Sequence, residues 1–169
     1  TFQIYTDNAG SGFNAGIEGS FRMKLSSVFE TGGSLGLLRA RTSSYSKQDK
    51  DGNVVVVQAR EQAHAPGYTG GVYGLWRIPS GFMARVDIQA KDHFYFSAAP
   101  KTGESEAYSI ANIKAGYEQS TWSTYLWVTN LFDKNYSVRG FEFGNEPPDF
   151  GNSLYLSLIH ISEPTRRYA

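Results

Sequence analysis

Histidine offers the widest choice of chemistry in this sequence, because an imidazole can transfer a proton near neutral pH and can ligate a metal. The chain has three histidines, His64, His93 and His160. His64 falls in a long polar segment, and His93 lies near the end of a predicted strand among aromatic residues. Neither has further ligands at the spacing that a metal site needs. We therefore predict that His64 and His93 are ordinary loop or interfacial residues, and that the chain has no catalytic residue and no metal site.

The segment Asp49 to Asn53 resembles part of a calcium-binding loop. It lacks the glutamate that such a loop carries after its glycine. A turn at Asp51 and Gly52, followed by the strand-forming valines Val54 to Val57, accounts better for these residues, and we predict a small hairpin here. The sequence also has no nucleophile elbow, phosphate-binding loop or His-centred dyad, so we expect no enzymatic activity.

The composition narrows the class of protein further. With 16 basic and 16 acidic residues the net charge is zero, which argues against a nucleic-acid binder. Cysteine is absent, which excludes disulfides and cysteine-ligated metals. An aromatic share of 15% with 18 glycines is typical of an all-β protein. No apolar run reaches the roughly 18 residues of a transmembrane helix. The mean hydropathy of -0.39 does not separate a soluble sheet from a membrane barrel, whose strands alternate apolar and polar residues.

Two segments alternate apolar and polar residues almost without fault. The apolar positions are odd-numbered from Asn14 to Leu25 and even-numbered from Phe82 to Lys91. Successive side chains of a strand point to opposite faces, so each segment has one apolar and one polar face. Arg85, Asp87 and Lys91 share a face, which must therefore meet water.

Weaker alternation predicts further strands, and the connections between strands alternate in length. The strands are Phe2 to Thr6, Ser34 to Tyr45, Tyr68 to Ile78, Glu106 to Tyr117 and Trp122 to Phe132. The shorter connections are Ser26 to Gly33, Pro79 to Gly81 and Glu118 to Thr121. The longer ones are Asp7 to Phe13, Ser46 to Gly67, Ser97 to Ser105 and Asp133 to Ser153. Transmembrane barrels have this arrangement, with short periplasmic turns and longer extracellular loops.

Aromatic residues gather at both ends of the predicted strands. Those near the short turns are Phe29, Trp76, Phe82, Tyr117 and Trp122. Those near the long loops are Tyr45, Tyr68, Phe94, Tyr95, Phe96 and Tyr108. Two such groups match the two interfacial girdles of a membrane barrel, and an unbroken strand from Phe82 to Phe96, tilted by about 40°, would join them.

We therefore predict an all-β fold, an antiparallel up-and-down meander of about seven strands that forms part of a larger transmembrane β-barrel. A soluble antiparallel sheet or sandwich also alternates in this way, and it stays open as the alternative at this point.

The segment Asn130 to Tyr136 reads N-L-F-D-K-N-Y and resembles the N-L-F-D-x-x-Y signature near the end of TonB-dependent receptors. The stretch Asn8 to Glu18 is similar to the N-A-G…G-x-E stretch that precedes it by several strands in that family. The resemblance covers about the whole of residues 1 to 155.

The resemblance implies part of the wall and extracellular loops of a receptor in the bacterial outer membrane. Such a receptor imports a ferric siderophore or a similar nutrient and has TonB as its partner. In the family, an N-terminal plug domain contacts TonB, and the barrel has about 22 strands. We expect the plug, most of the barrel and the last strand to lie outside this sequence, so that it has no activity by itself. Its other partners would be outer-membrane lipid and the small-molecule ligand, with no nucleic acid and no cofactor.

Five cations could line such a barrel as a basic surface for an anionic iron chelate: Arg39, Arg41, Arg77, Arg85 and Lys114. Barrel interiors also carry mixed charges that pair with one another. We favour that interpretation, with Glu18, Asp87 and Glu106 as partners. Asn130 and Asp133 are predicted to stabilise a turn by side-chain-to-backbone bonds rather than to bind a ligand.

The tail Leu156 to Arg166 needs a separate explanation, because a DNA sequence that resembles a transposase-type sequencing adapter can encode it in frame. We predict two parts, a receptor-barrel fragment at 1–155 and an adapter-derived tail at 156–169. The alternative is a genuine strand at Leu156 to Ile161. The apolar alternation there fits a sheet edge, and the segment can therefore be laid down as a strand in either case.

Two other functions stay open. A passive porin or another outer-membrane barrel is one; if it were an enzyme, His93 would have to pair with a Ser or Asp at the barrel rim. A soluble carbohydrate-binding β-sheet module is the other, and its aromatic residues would line a groove rather than form two belts.

Overall fold

The computed structural model describes residues 10–48, 52–97, 103–143 and 153–158, which form strands and the turns between them. The strands are β1 (Gly12–Lys24), β2 (Phe29–Thr42), β3 (Tyr45–Gln48), β4 (Val54–Val57), β5 (Arg60–Glu61), β6 (Tyr68–Arg77), β7 (Phe82–Lys91), β8 (Phe94–Tyr95), β9 (Glu104–Ser105), β10 (Tyr108–Glu118), β11 (Ser123–Val128), β12 (Ser137–Phe143) and β13 (Ser153–Leu158). Within these four ranges there is no helix that could span a membrane.

Seven of the strands form one antiparallel sheet with the order β1-β2-β6-β7-β10-β11, in which the short β5 pairs with the end of β2. The long strands therefore follow one another in space as they do in sequence. Three two-stranded ladders, β3–β4, β8–β9 and β12–β13, stand apart from this sheet. The predicted antiparallel up-and-down meander of about seven strands is confirmed.

The first connection is shorter than predicted. We expected a connection from Ser26 to Gly33, but β2 already begins at Phe29, because the ladder to β1 and β6 continues to that residue. The backbone N–H of Leu25 donates to the carbonyl of Phe29 at 3.0 Å, and the N–H of Phe29 donates to the Ser26 hydroxyl at 3.0 Å. The contrast between short turns and long connections is thus sharper than the sequence suggested.

The predicted unbroken strand from Phe82 to Phe96 is wrong. β7 ends at Lys91, and β8 pairs with β9 outside the main sheet. The Asp92 backbone N–H still donates to the carbonyl of Tyr68 at 3.0 Å, which closes the ladder. The Asp92 carboxylate then accepts the N–H of His93 at 2.9 Å, as in the local bonding that turns a chain out of a strand.

The last long strand of the sheet is also shorter than predicted, since β11 ends at Val128 rather than Phe132. The residues that follow form a turn in which Asn130 and Asp133 have positive φ values of 50° and 49°. Backbone in that region cannot continue a strand.

The predicted hairpin at the valines is confirmed, with Val54 opposite Gln48 and Val57 opposite Tyr45. Gly52, in its turn, has φ 83°, whereas Asp51 lies outside the described residues. Phe2 to Thr6 lies outside them as well. The segment from Leu156 to Leu158 is part of β13 and pairs with β12.

The register places the side chains of the main sheet on two unlike faces. The apolar face carries Ile17, Phe21, Leu35, Leu37, Val72, Trp76, Val86, Ile88, Ile113, Leu126 and Val128. The polar face carries Glu18, Ser20, Arg22, Glu30, Ser34, Tyr73, Arg77, Arg85, Asp87, Gln89, Lys114, Glu118 and Tyr125. The apolar face is open: Ile17 is 72% exposed, Ile88 47% and Leu126 73%.

Candidate functional site

The polar face lines an open concavity of about 1130 Å³. β1, β2, β6, β7 and β10 contribute its walls, and Tyr136 and Val138 border it from the long-loop end. Alternation places the charged residues here, because every second residue of five consecutive strands points to this side. The concavity is the candidate functional site of the described chain.

One cluster of contacts joins four strands across this face. Arg22 binds the Glu30 carboxylate with two hydrogen bonds, at 2.9 and 3.0 Å, and the Tyr73 hydroxyl donates to the same carboxylate at 2.8 Å. The guanidinium of Arg85 lies 4.1 Å from the centre of the Tyr73 ring and binds Asp87 at 2.6 Å. The two arginines therefore have carboxylate partners of their own.

A second cluster repeats this arrangement with a glutamate and a tyrosine that each lie three strands further along the sheet. The Tyr125 hydroxyl donates to Glu118 at 2.9 Å, and the ammonium group of Lys114 lies 3.8 Å from the centre of the Tyr125 ring. Arg77 is 3.5 Å from the same glutamate. Each cluster thus has a tyrosine whose hydroxyl binds a glutamate and whose ring carries a cation.

Each tyrosine ring covers a glycine on the neighbouring strand. Tyr73 is the register partner of Gly32, and a Cβ added to Gly32 would meet the ring at 2.7 Å. Tyr125 is the partner of Gly116, where an added Cβ would overlap the ring. The pattern of residues along the chain did not predict either cluster. Alternation predicts that each glutamate shares a face with the glycine two residues away. Which tyrosine lies opposite that glycine depends on the register between neighbouring strands, which alternation does not give.

The five cations that sequence analysis offered as a basic surface do not share one face. Arg77, Arg85 and Lys114 lie on the polar face, whereas Arg39 and Arg41 are opposite Ala15 and Phe13 on the other side of the sheet. The mixed-charge interpretation is confirmed where Arg85 pairs with Asp87.

The turn after β11 is built around the side chain of Asn130, which is buried. Its amide nitrogen donates to the carbonyl of Lys134 at 3.0 Å, and its amide oxygen accepts the N–H of Lys134 at 3.0 Å. Its own N–H donates to the Asn112 side chain at 2.9 Å. The turn role predicted for Asn130 is confirmed. Asp133 contributes its backbone N–H, which donates to the Asn130 carbonyl at 2.8 Å.

The two described histidines lie near each other at the long-loop end. The ring of His64 is 5.6 Å from that of Phe94, and its backbone has φ 55°. His93 binds Asp92 and faces Glu61. A hydrogen bond to Asp92 and the nearby carboxylates of Asp92, Glu61 and Glu104 raise the pKa of His93. Within the described ranges, no group of three or more His, Asp or Glu side chains could hold a metal ion.

The aromatic residues at the short-turn end form two groups of ring contacts. Phe29 stacks on Trp76 at 4.4 Å, and Tyr117 lies 4.6 Å from Phe82 and 5.6 Å from Trp122. Phe29, Trp76, Phe82 and Tyr117 all lie on the apolar side of the sheet. An aromatic girdle is therefore present at this end.

Three of the six aromatic residues predicted for the second girdle do not lie on the outer, apolar side, and for them the prediction is wrong. Phe94 and Phe96 are buried, with rings 5.6 Å apart, and a Cβ added to Gly140 of β12 would overlap the Phe96 ring. Tyr108 lies on the polar side and stacks on Tyr136 at 4.3 Å. These aromatic residues pack the long connections against one another instead of facing outward.

A scan against known protein families finds no match to this sequence. A search of solved structures finds the siderophore receptor PiuA from Acinetobacter baumannii, with a TM-score of 0.68, 14% identity and 87% of this chain covered. It also finds the ferric yersiniabactin uptake receptor FyuA from Yersinia pestis, with a TM-score of 0.66, 18% identity and 89% of this chain covered. The chain has the fold of a stretch of these two receptors.

That likeness concerns a part of each receptor only. The matched region is 20% of the PiuA chain and 22% of the FyuA chain, so this chain spans about a fifth of their length.

Proposed function

We propose that residues 1–155 are part of the wall and extracellular loops of a receptor in the bacterial outer membrane, one that actively imports a ferric siderophore or a similar nutrient. The proposal rests on one observation: an apolar face, with large exposed side chains on five of its six strands, belongs to a meander whose fold is that of a stretch of two siderophore receptors. The receptor's plug and its contact with TonB would be formed by other parts of the protein.

The apolar face needs a cover that the described chain does not supply. Contiguous exposed apolar patches on soluble monomers rarely exceed a few hundred Å². Here the exposed residues include Ile17, Leu35, Val72, Ile88 and Leu126, one from each of five strands. Lipid acyl chains would cover them without any partner protein, and the aromatic girdle at the short-turn end would lie at the membrane interface.

Strand length supports the same proposal. A transmembrane β-strand needs about 9–11 residues. β6 and β7 have 10 residues each, β10 has 11, and β1 and β2 have 13 and 14. These five strands are thus long enough to cross the apolar layer, and the two longest extend beyond it, whereas β11 has six residues in the described structure.

The polar face would then line the inside of the barrel. Barrel interiors are polar, and the paired charges of Arg22, Glu30, Arg85 and Asp87 fit such a water-filled space. The paired charges suit a wall with a structural role, not an enzyme site, and nucleic acid would find no basic surface here.

Reading the source DNA upstream of residue 1 tests the transport proposal. We expect an open reading frame that encodes more β-strands and, before them, a plug domain. A signal peptide followed directly by a small complete set of strands would contradict active transport and support the passive porin.

We also propose that residues 156–169 are adapter-derived. Downstream of the codon for Tyr155, the intact gene should then encode a different sequence that completes the last strand. Finding Leu156 to Arg166 in the intact gene would overturn this division of the chain.

A further inference from the structure

His93 joins two segments of the long-loop end that are far apart in sequence. It lies between β7 and β8, and its Nδ1 is 3.1 Å from Oδ1 of Asp92, the preceding residue. Its Nε2 is 3.6 Å from Oε2 of Glu61, which belongs to β5 and thus to a different connection. A single imidazole therefore faces one carboxylate on each ring nitrogen.

The same two segments meet at four further points, one of which is a hydrogen bond from the Arg60 guanidinium to the carbonyl of Ser97 at 3.4 Å. The Arg60 guanidinium lies 4.6 Å from the centre of the Tyr95 ring. The backbone N–H of His64 donates to the carbonyl of Tyr95 at 2.9 Å, and the His64 ring packs on Phe94. Residues 60–64, here named the strap, therefore lie along the chain that follows β7. On its other side the strap is held by the two-residue pairing of β5 with β2 and by the N–H of Gln62, which donates to the carbonyl of Ala40 at 3.1 Å.

The strap borders an opening on the inner side of the sheet. His64, Pro66 and Lys91 help to line a second concavity of about 610 Å³, together with Glu18 and Thr69 of the polar side. The hairpin β3–β4 precedes the strap in the chain. Movement of the strap would change the width of this opening and the position of the hairpin.

Both contacts of the His93 ring can be favourable only when the ring is protonated. A neutral imidazole has one N–H and one lone pair, so one of its nitrogens would present a lone pair to a carboxylate. An imidazolium has an N–H on each nitrogen and can face both carboxylates. Loss of the proton therefore leaves an unfavourable contact with either Asp92 or Glu61.

We propose that His93 is a pH-sensitive latch: when protonated it fastens the strap to the chain after β7 through Glu61, and when neutral it leaves the strap more loosely held, by the short β5–β2 pairing and the remaining contacts alone. A third carboxylate, Glu104 of β9, also acts on the ring. The nearby cations, Arg60 and Lys91, lie over the rings of Tyr95 and Phe94. The carboxylates of Asp92, Glu61 and Glu104 therefore favour the protonated, cationic form of the His93 ring.

The latch is a property of contacts within this chain. Any effect of the latch on ligand capture by the long connections rests on the transport function proposed above. The experiment therefore measures the strap and not transport, so that the two proposals can fail separately.

The chain has no cysteine, which permits clean double labelling. Spin labels on Ala59→Cys, beside the strap, and Ser109→Cys, on β10, report the distance between strap and sheet in the 169-residue chain folded in lipid. A second pair, Ser34→Cys with Ser109→Cys, reports the sheet alone. We expect a narrow strap distance at about pH 5.5 and a broad one at about pH 8.5, since a histidine titrates in this range.

Three variants decide the cause. His93→Gln keeps a hydrogen-bonding side chain without the charge, and we expect a broad strap distance at both pH values. Glu61→Gln removes the partner on the strap and should abolish the pH response. Glu106→Gln, an exposed glutamate at the same end, is the matched control and should keep the response.

An unchanged strap distance between the two pH values would overturn the latch, and so would a full pH response in Glu61→Gln. If His93→Gln also alters the sheet distance, that variant has lost its fold and Glu61→Gln decides alone. None of these distances depends on whether the protein transports a siderophore.

Discussion

Asn130 shows how one side chain determines where a strand ends. Its amide group makes both a donor and an acceptor hydrogen bond to Lys134, and its positive φ is tolerated better by Asn than by most residues with a Cβ. The segment that carries the resemblance to the receptor signature therefore has a structural role at this point. Asn112, which accepts the backbone N–H of Asn130, ties the turn to β10.

Replacing Asn130 with alanine should destabilise the chain by about 2–3 kcal/mol, because two hydrogen bonds of a buried group and a tolerated backbone conformation are lost together. Asn130→Gly loses the hydrogen bonds but keeps the conformation, so it should cost less. Denaturant unfolding of both variants in lipid measures the difference. Equal losses would contradict the part assigned to the positive φ.

His93 carries a testable electrostatic signature. Its hydrogen bond to Asp92 raises its pKa above the ordinary value of about 6.5. The pKa of His93 is higher in the folded state than in the unfolded state. The stabilisation that the protonated ring contributes is therefore complete at pH values below the unfolded-state pKa, and it is lost as the pH rises through the folded-state pKa.

Asp92→Asn should therefore lower the pKa of His93, as followed by NMR of a chain labelled at histidine. Glu106→Gln serves as the control and should leave that pKa nearly unchanged. A pKa that does not fall in Asp92→Asn would show that the Asp92 hydrogen bond is not its main cause.

At the scale of the elements, cross-strand packing on the polar face depends on glycines. The rings of Tyr73 and Tyr125 cover Gly32 and Gly116. The hydroxyl of each tyrosine reaches the glutamate that lies two residues from the covered glycine on the same face of the sheet. This is the arrangement in which an aromatic side chain covers a glycine of the neighbouring strand.

Gly32→Ala and Gly116→Ala should each destabilise the sheet by about 1–3 kcal/mol, since the added methyl group displaces a packed ring. Gly19→Ala is the matched control: Gly19 lies in β1 and a Cβ there would meet nothing within 4 Å. We expect it to be neutral or slightly stabilising. Thermal unfolding in detergent compares the three. A loss in Gly19→Ala as large as in Gly32→Ala would refute the role given to the rings.

The alternation of residues made the main strands predictable, and the local exceptions were not. β7 matches its predicted bounds, Phe82 to Lys91, because ten residues alternate without interruption. The early start of β2 was missed because Gly32 and Gly33 look like turn residues, although here they allow close approach of Tyr73 and Val72. The break at Asp92 was missed because it depends on a side-chain-to-backbone bond, which alternation does not reveal.

The sequence predicted which residues lie on the polar face, but not which of them meet across neighbouring strands. Alternation identified Arg85 and Asp87 as neighbours on one side of β7, and they do pair. The registers that bring Tyr73 over Gly32 and Arg39 opposite Ala15 depend on how the strands align, which the strand pattern alone does not state.

At the scale of the whole molecule, the two unlike faces of one sheet are the main physical fact. The apolar face has large exposed side chains on five of its six strands and aromatic residues gathered at one end, while the polar face pairs Arg22 with Glu30 and Arg85 with Asp87. Both outer strands, β1 and β11, have a neighbour on one side only within the described sheet. Such edges are satisfied when a barrel continues on either side.

We propose that alternate residues of these strands face lipid and water, and site-directed spin labelling in lipid vesicles distinguishes the two environments. Single cysteines would replace Leu35, Val72 and Ile88 on the apolar face and, as matched neighbours, Ser34, Tyr73 and Gln89 on the polar face. We predict that membrane-dissolved oxygen reaches the first three labels and that a water-soluble nickel reagent reaches the second three. Equal access of both reagents to neighbouring positions, or a chain that stays a soluble monomer and binds no vesicles, would contradict the account.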